Sequence, residues 1–317
     1  MTSEVDPRPR RTPAQRVARF LRDPRLLVPA IGRRVRQAPP PPPPVESRLT
    51  VITKDLPLEG LGLEIGPSHS PLLPKSAGHN VRTADHLDQA GLIAKYESYK
   101  PTSKIEVVDY VLAPGRLTES IDDRFDYIVA SHVMEHTVCL VSFLQDCEAL
   151  LEPGGVLSLA LPDKRYCFDR FRERSSLGRV IDVFRLGPSV HTEGSVLEHN
   201  LFNVDRDGQG YWSQDASGTF RFRYSKERAL ETAVIAVQGE YVDTHNWVMT
   251  PHHLRLLLLD LYELGFIGLR EKTFHDTLGH EFFITLSVDG DGAGITREEL
   301  VVRSARELMS SENLSFG

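Results

Sequence analysis

The chain has 317 residues, 40% hydrophobic and 26% charged, the balance of a soluble globular protein. No run approaches the roughly eighteen uninterrupted apolar residues of a membrane span. Cys139, Cys147 and Cys167 have no metal-ligand spacing, and their odd number excludes a disulfide framework, which points to reduced thiols in a cytoplasmic protein.

The net charge of −7 is unevenly distributed. Up to Arg48, eleven arginines stand against Glu4, Asp6, Asp23 and Glu46; the remainder carries 26 basic and 40 acidic residues. So acidic a body excludes a nucleic-acid-binding surface. Residues 1–47 form a separate basic arm that ends in a proline run over 39–44, a stiff polyproline II spacer. Val17, Phe20, Leu21, Leu27 and Val28 lie among its arginines at helix-like spacing, interrupted by Pro24 and Pro29. Two readings are open: a disordered, solubilising arm, or a weak contact with an anionic membrane surface or an acidic partner. No continuous apolar region follows the arginines, so a secretory signal is not expected.

From residue 60 onward strands alternate with helices, which predicts a doubly wound α/β domain with a mostly parallel sheet. Strands are predicted at 61–65, 81–85, 105–111, 125–130 and 156–161, with a helix at 87–96. A second helix over 140–151 has Leu140, Phe143, Leu144, Cys147, Leu150 and Leu151 on one face. Pro153-Gly154-Gly155 is expected to end it. Residues 163–243, rich in aromatic, Arg and His side chains, interrupt the alternation with predicted helices at 168–184 and 224–237. An insertion there would wall or cover a site at the carboxyl edge of the sheet. Thr250-Pro251 then opens an apolar helix to 264, strands follow at 266–274 and 281–288, and the tail beyond 290 reads as peripheral to a folded unit over 48–290.

The stretch 61–70, Leu-Gly-Leu-Glu-Ile-Gly-Pro-Ser-His-Ser, is a short apolar strand that breaks at Gly66 into a turn of small residues. An acid near the end of such a strand suits a nucleoside ligand on the carboxyl edge of a parallel sheet. Gly60, Gly62 and Gly66 do not form a dinucleotide fingerprint, because the first two precede or lie within the strand and no helix opens after them.

The stretch resembles the first motif of the class I S-adenosylmethionine-dependent methyltransferases, acid-x-Gly-x-Gly-x-Gly, with Ser68 and Ser70 in place of the later glycines. Residues 125–136, Phe-Asp-Tyr-Ile-Val-Ala-Ser-His-Val-Met-Glu-His, resemble the fourth-strand block of the same family, of the type 11 kind. Residues 162–166 and 244–247 further resemble a bacterial subgroup associated with sugar or cell-surface polysaccharide pathways. The resemblance implies a seven-stranded sheet and S-adenosylmethionine as cofactor. Glu64 would fix the loop or face the donor's amino group, and Gly66 and Ser68 would cradle the donor. Asp85 would accept from the ribose hydroxyls, residues 112–115 would lie beside adenine, and Ser131 and His132 would hold the methionine part. Glu135 and His136 would either cap the next helix or touch ligand.

Methyl transfer needs a base when the acceptor is a hydroxyl, and Asp163, His199 and His245 are the candidates. Arg165, Arg170, Arg172 and Arg174 would grip an anionic acceptor or form a solvated helix face. No His pair has a metal-binding context, so no metal is expected. A small-molecule or glycan acceptor is implied, methylated on oxygen. The rivals are a non-catalytic nucleoside-binding module and a different Rossmann-like nucleotide-sugar enzyme.

Overall fold

The computed structural model describes residues 46–309 and 315–316, so the basic arm, apart from Glu46 and Ser47, lies outside the described residues. Strands β1 (Gly62–Ile65), β2 (Val81–Asp85), β3 (Tyr110–Val111), β4 (Phe125–Ser131) and β5 (Leu151–Pro162) come first in the chain. Short strands β6 (Val204–Arg206), β7 (Gln209–Gly210) and β8 (Thr219–Phe222) belong to the insertion, and β9 (Arg270–Leu278) and β10 (Glu281–Ser287) follow it. Seven of these form one sheet in the order β3-β2-β1-β4-β5-β10-β9. The pairs among β1 to β5 are parallel, and β10 runs antiparallel to both β5 and β9. The α/β reading is therefore correct. Among the described residues no helix is long and apolar enough to cross a membrane.

Alternate strand residues feed two cores, as the pleat requires. Leu63, Ile65, Ile128, Ala130, Leu157, Leu159, Phe282 and Ile284 face one side. There they pack under α3 (Leu140–Leu150), α4 (Leu177–Leu186) and α7 (Pro251–Glu263) through Leu144, Val180 and Leu258. Val129, Ala160 and Phe283 face the other side, with Val51 and Ile52 of α1 (Arg48–Thr53) and Leu73. On this second face the Tyr127 ring lies against Gly62, where any Cβ would come within 2.0 Å of Tyr127 Cζ.

The connection from β1 to β2 contains only a short 3-10 turn at Lys75–Ala77 in place of a crossover α-helix. Side chains hold it instead: both Glu64 oxygens accept backbone N–H groups, from Leu72 (2.7 Å) and Leu73 (3.0 Å), and Glu106 accepts from Lys75 N and Ser76 N.

Several sequence expectations need correction. The strand expected over 105–111 pairs only at Tyr110–Val111, because the Asp109 side chain takes the Thr83 N–H that a longer ladder would have used. β5 begins at Leu151, so Pro153-Gly154-Gly155 interrupts the ladder rather than preceding the strand. Residues 168–176 are not helical, and α5 (Glu193–Phe202) and the small β6–β8 sheet were not foreseen. α5 packs against α6 (Lys226–Val237) through Val196, Ala233 and Ala236. Beyond 290, α8 (Arg297–Arg306) buries Leu300, and Arg174 donates to Ser304 while Glu307 accepts from His252 N. That segment is built into the fold.

Candidate functional site

The carboxyl ends of β1, β2 and β4 form one corner of the site. Gly66 follows β1 with φ +66°, and a Cβ there would meet Val133 Cγ2 at 2.8 Å. Ser68 (φ +52°) and His132 (φ +54°) are also left-handed, a conformation rare outside glycine and typical of loops that shape a ligand. Ser68 therefore adopts the backbone that a glycine would supply. At the end of β2, Asp85 accepts from Ser68 N (3.0 Å) and His86 N (2.8 Å), with His86 Nδ1 2.6 Å from Oδ1. Oδ2 retains a lone pair for a hydroxyl donor. Glu64 faces the 66–73 loop; burial raises its pKa, opposed by the backbone donors of Leu72 and Leu73.

At the end of β4, Ser131 and Glu281 share Arg48, whose Nη2 donates to Ser131 Oγ and whose Nε donates to Glu281 Oε1 at 2.6 Å. His132 lies next to them, its Nε2 3.0 Å from Glu281 Oε2. Burial opposes protonation of this ring, but Glu135 and Glu281 overcome it and push the pKa up to about 9. Arg48 and Glu281 carry no motif, so sequence reading missed them.

A second corner is built where the insertion returns to the sheet. Asn246 N and Trp247 N both donate to Glu135 O (2.7 and 3.1 Å), and Trp247 Nε1 donates to Thr137 O. Asn246 Nδ2 donates to Thr137 O and Val138 O. The His191 ring bridges the same two strips of chain, with Nε2 2.9 Å from His136 O and Nδ1 3.0 Å from Thr244 Oγ1. Residues 244–247 are thereby bound to 135–138, more than a hundred positions earlier. This brings His245 against His136, ring centroids 4.6 Å apart and perpendicular.

His245 Nδ1 is hydrogen-bonded to Asp169 Oδ2, and Arg172 donates to both Asp169 Oδ1 (2.8 Å) and His245 O (2.7 Å). Burial raises the Asp169 carboxyl, yet His245 and Arg172 outweigh it and hold it well below the ordinary range. Phe168 and Trp212 wall this corner, 4.5 and 6.3 Å from the His245 ring by centroids, and Trp212 also lies 5.7 Å from His132. One aromatic surface thus runs from the His132 loop to the imidazoles.

The three base candidates part company. His199 joins His245, ring centroids 6.0 Å apart, but its Nδ1 accepts from His245 N and burial drives its pKa down to about 3. Asp163 stands apart: Arg165 binds both of its oxygens through Nε and Nη2, and Arg165 N and Thr277 Oγ1 also donate to it. A carboxylate so fully engaged braces a turn and is unsuited to taking a proton. Both His199 and His245 keep a ring nitrogen beyond the structural bond, but burial holds His199 far below the range of a useful base, which leaves His245.

The four arginines after β5 form neither a solvated face nor an open anion grip. Arg165 serves Asp163, Arg172 serves Asp169, Arg174 serves Ser304, and Arg170 donates to Arg165 O. Asp169 was missed by sequence reading, because an acid seven residues beyond β5 has no periodic or spacing signal.

Comparison with known proteins agrees with this architecture. Residues 63–159 match the family described as "Methyltransferase domain". The human mitochondrial ubiquinone biosynthesis O-methyltransferase is 27% identical over 182 residues, which are 51% of this chain and 49% of that protein. The chain thus spans about half the length of the curated relative it matches. Among solved structures, the PH0226 protein of Pyrococcus horikoshii is 15% identical with a TM-score of 0.40, over 75% of this chain and 85% of that one. The CcbJ methyltransferase of Streptomyces caelestis is 11% identical with a TM-score of 0.38, over 75% and 92%. Likeness at that level carries no argument beyond the chain's own strand order. The match over 63–159 makes that stretch similar to the methyltransferase-domain family, and the sheet order with its antiparallel β10 and the left-handed turns after β1 and β4 are the features of this chain that go with it.

Proposed function

We propose that the protein transfers a methyl group from S-adenosylmethionine to an oxygen of a small-molecule or glycan acceptor. One observation carries the oxygen assignment. The carboxylate-backed imidazole of His245 lies on the same aromatic wall as the His132 loop, so a hydroxyl could lose its proton next to the donor corner. The donor-side residues fit the cofactor: Gly66 permits the left-handed turn after β1 that brings backbone close to the ligand, and Asp85 offers carboxylate oxygen to ribose hydroxyls. When bound, S-adenosylmethionine supplies a sulfonium methyl already activated by its positive charge.

The chain's own work is therefore alignment and proton removal. Alignment of nucleophile and methyl is worth up to about 7–11 kcal/mol in favourable systems. With the donor held at Gly66 and Asp85, the acceptor oxygen would take the methyl, the S–CH3 electron pair would stay on sulfur, and the hydroxyl proton would leave at the His245 corner.

The test is calorimetric titration of S-adenosylmethionine and S-adenosylhomocysteine into wild type and Asp85→Ala. A hydrogen bond to a charged group is worth about 1.5–3 kcal/mol, so the variant should bind at least about tenfold more weakly. Well-folded wild type that binds neither ligand would sink the proposal, and binding of NAD(P) in their place would move the chain to another class of enzyme.

A further inference from the structure

We infer that Glu135, His136 and His245 form a binding site for a divalent first-row metal ion, with zinc as the best match to the ligand set. The inference rests on the reading of the His245 corner as the place where the acceptor oxygen sits, and it makes that corner's chemistry specific.

Four observations converge. First, one ligand atom from each of the three residues lies within 4.8 Å of the others. Ligands about 2.0–2.2 Å from one ion are separated by roughly 3–4 Å, so closure needs side-chain shifts of under about an ångström. Second, the Glu135 side chain is 1% exposed, and neither carboxylate oxygen has a hydrogen-bond partner. His132 Nδ1 is 3.3 Å from Oε1, within ion-pair distance but outside hydrogen-bond geometry. A buried carboxylate left without donors is costly unless something cationic satisfies it.

Third, each imidazole is held at Nδ1 by a carboxylate of its own: His245 by Asp169, and His136 by Asp243 at 2.8 Å. That leaves Nε2 of each ring as the nitrogen available to a metal. Carboxylate–histidine pairs of this kind orient metal ligands and raise their basicity. Fourth, the backbone bonds from Asn246 and Trp247 to Glu135 O lock the two loops together, so the three ligands are preorganised rather than gathered by the ion.

A neighbouring group shows what distinguishes such a site. His132, His280 and Glu281 are also clustered, but there Arg48 Nε donates to Glu281 Oε1 at 2.6 Å and the carboxylate already has its cation. Glu135 has none.

Two imidazoles and one carboxylate are a ligand set of catalytic zinc sites, which keep a further position open. An acceptor hydroxyl in that position would ionise more readily, since a bound divalent cation lowers the pKa of water from 15.7 to about 7. With the metal bound, the proton would leave to solvent in place of transfer to His245, and the oxygen would become the nucleophile for the methyl. His245 then acts as a ligand, and Asp169 and Asp243 are positioning residues.

The test uses the full chain, stripped with a chelator, dialysed, and titrated by calorimetry with zinc chloride and, separately, cobalt chloride, whose visible absorption reports coordination by protein. Wild type should bind one equivalent and gain thermal stability. Glu135→Gln and His245→Ala should each weaken binding at least about tenfold, as should Asp169→Asn through its ligand. His280→Ala should bind as wild type does, because it belongs to the other cluster. Circular dichroism identifies any variant that has not folded, and the near-isosteric Glu135→Gln keeps the test decisive if His245→Ala fails. Absence of binding by folded wild type, or equal binding by Glu135→Gln, overturns the inference. A parallel S-adenosylmethionine titration separates the two ideas. Donor binding without zinc binding defeats only the metal site, and zinc binding without donor binding defeats only the methyltransferase reading.

Discussion

Ser68 holds φ +52° at the turn after β1, where a left-handed backbone costs an ordinary L-residue about 1–2 kcal/mol. Replacing it by glycine should remove most of that strain, so Ser68→Gly is expected to raise stability by about 1 kcal/mol in urea unfolding. Donor affinity should be retained, since the group offered to Asp85 is the backbone N–H. Gly66→Ala should have the opposite sign. Its φ is +66° and the added carbon would meet Val133 Cγ2 at 2.8 Å, so a loss of about 1–3 kcal/mol and weaker donor binding are expected together. Asp163 gives a third residue-scale expectation. Breaking its buried pair with Arg165 should cost about 3–5 kcal/mol, yet the shape of the turnover–pH profile of Asp163→Asn should not change, because the carboxylate takes no proton. A lost limb in that profile would restore Asp163 as the base.

At the scale of elements, periodicity was a good guide where burial alone decides structure. β1, β2, β4 and α3 lie close to their expected places, because their apolar residues face defined cores. It failed where side chains replace backbone partners. Asp109 takes the Thr83 N–H and shortens β3, while Asp169 and Arg172 are drawn to His245 and leave 168–176 non-helical. The turns after β1 and β4 were legible through their motifs, whereas the meeting of His136, Asp169 and His245 was not, since these residues come together only through the folded insertion. The tail misled for a similar reason: α8 is mostly exposed and buries little beyond Leu300 and Ser304. Its anchor is Glu307, which accepts from His252 N at 2.7 Å and from Thr250 Oγ1. Burial raises the Glu307 pKa, but His252 and Thr250 outweigh it and lower it from 4.5. Glu307→Ala should therefore cost about 1–3 kcal/mol near pH 7. The difference from wild type should persist above pH 4.5 and shrink as pH falls through the depressed pKa.

Over the whole molecule, several imidazoles are buried in neutral form. Burial lowers His199 to about 3 and His253 to about 4, and it lowers His191 and His280 as well. Each has a folded pKa below the ordinary 6.5, so the unfolded chain takes up protons first as the solution is acidified. Their contribution is complete above about pH 6.5 and is lost progressively towards pH 4. Urea midpoints of the metal-free protein, measured at half-unit steps, should decline across that window. His253→Asn should flatten the decline, since its ring is opposed only by Arg174 and favoured only by Glu307 among its charged neighbours.

The position of β10 also sets an order in time. It pairs with β5 on one side and β9 on the other, yet it is encoded after both. During synthesis β5, with Leu157, Leu159 and Leu161 along it, has an unpaired edge until residues 281–287 emerge, and such an edge invites association with other chains. The first residue of that late strand is Glu281, the partner of His132 and Arg48. A nascent chain stalled before residue 281 therefore lacks both the strand that covers β5 and the carboxylate that bonds to His132 and Arg48.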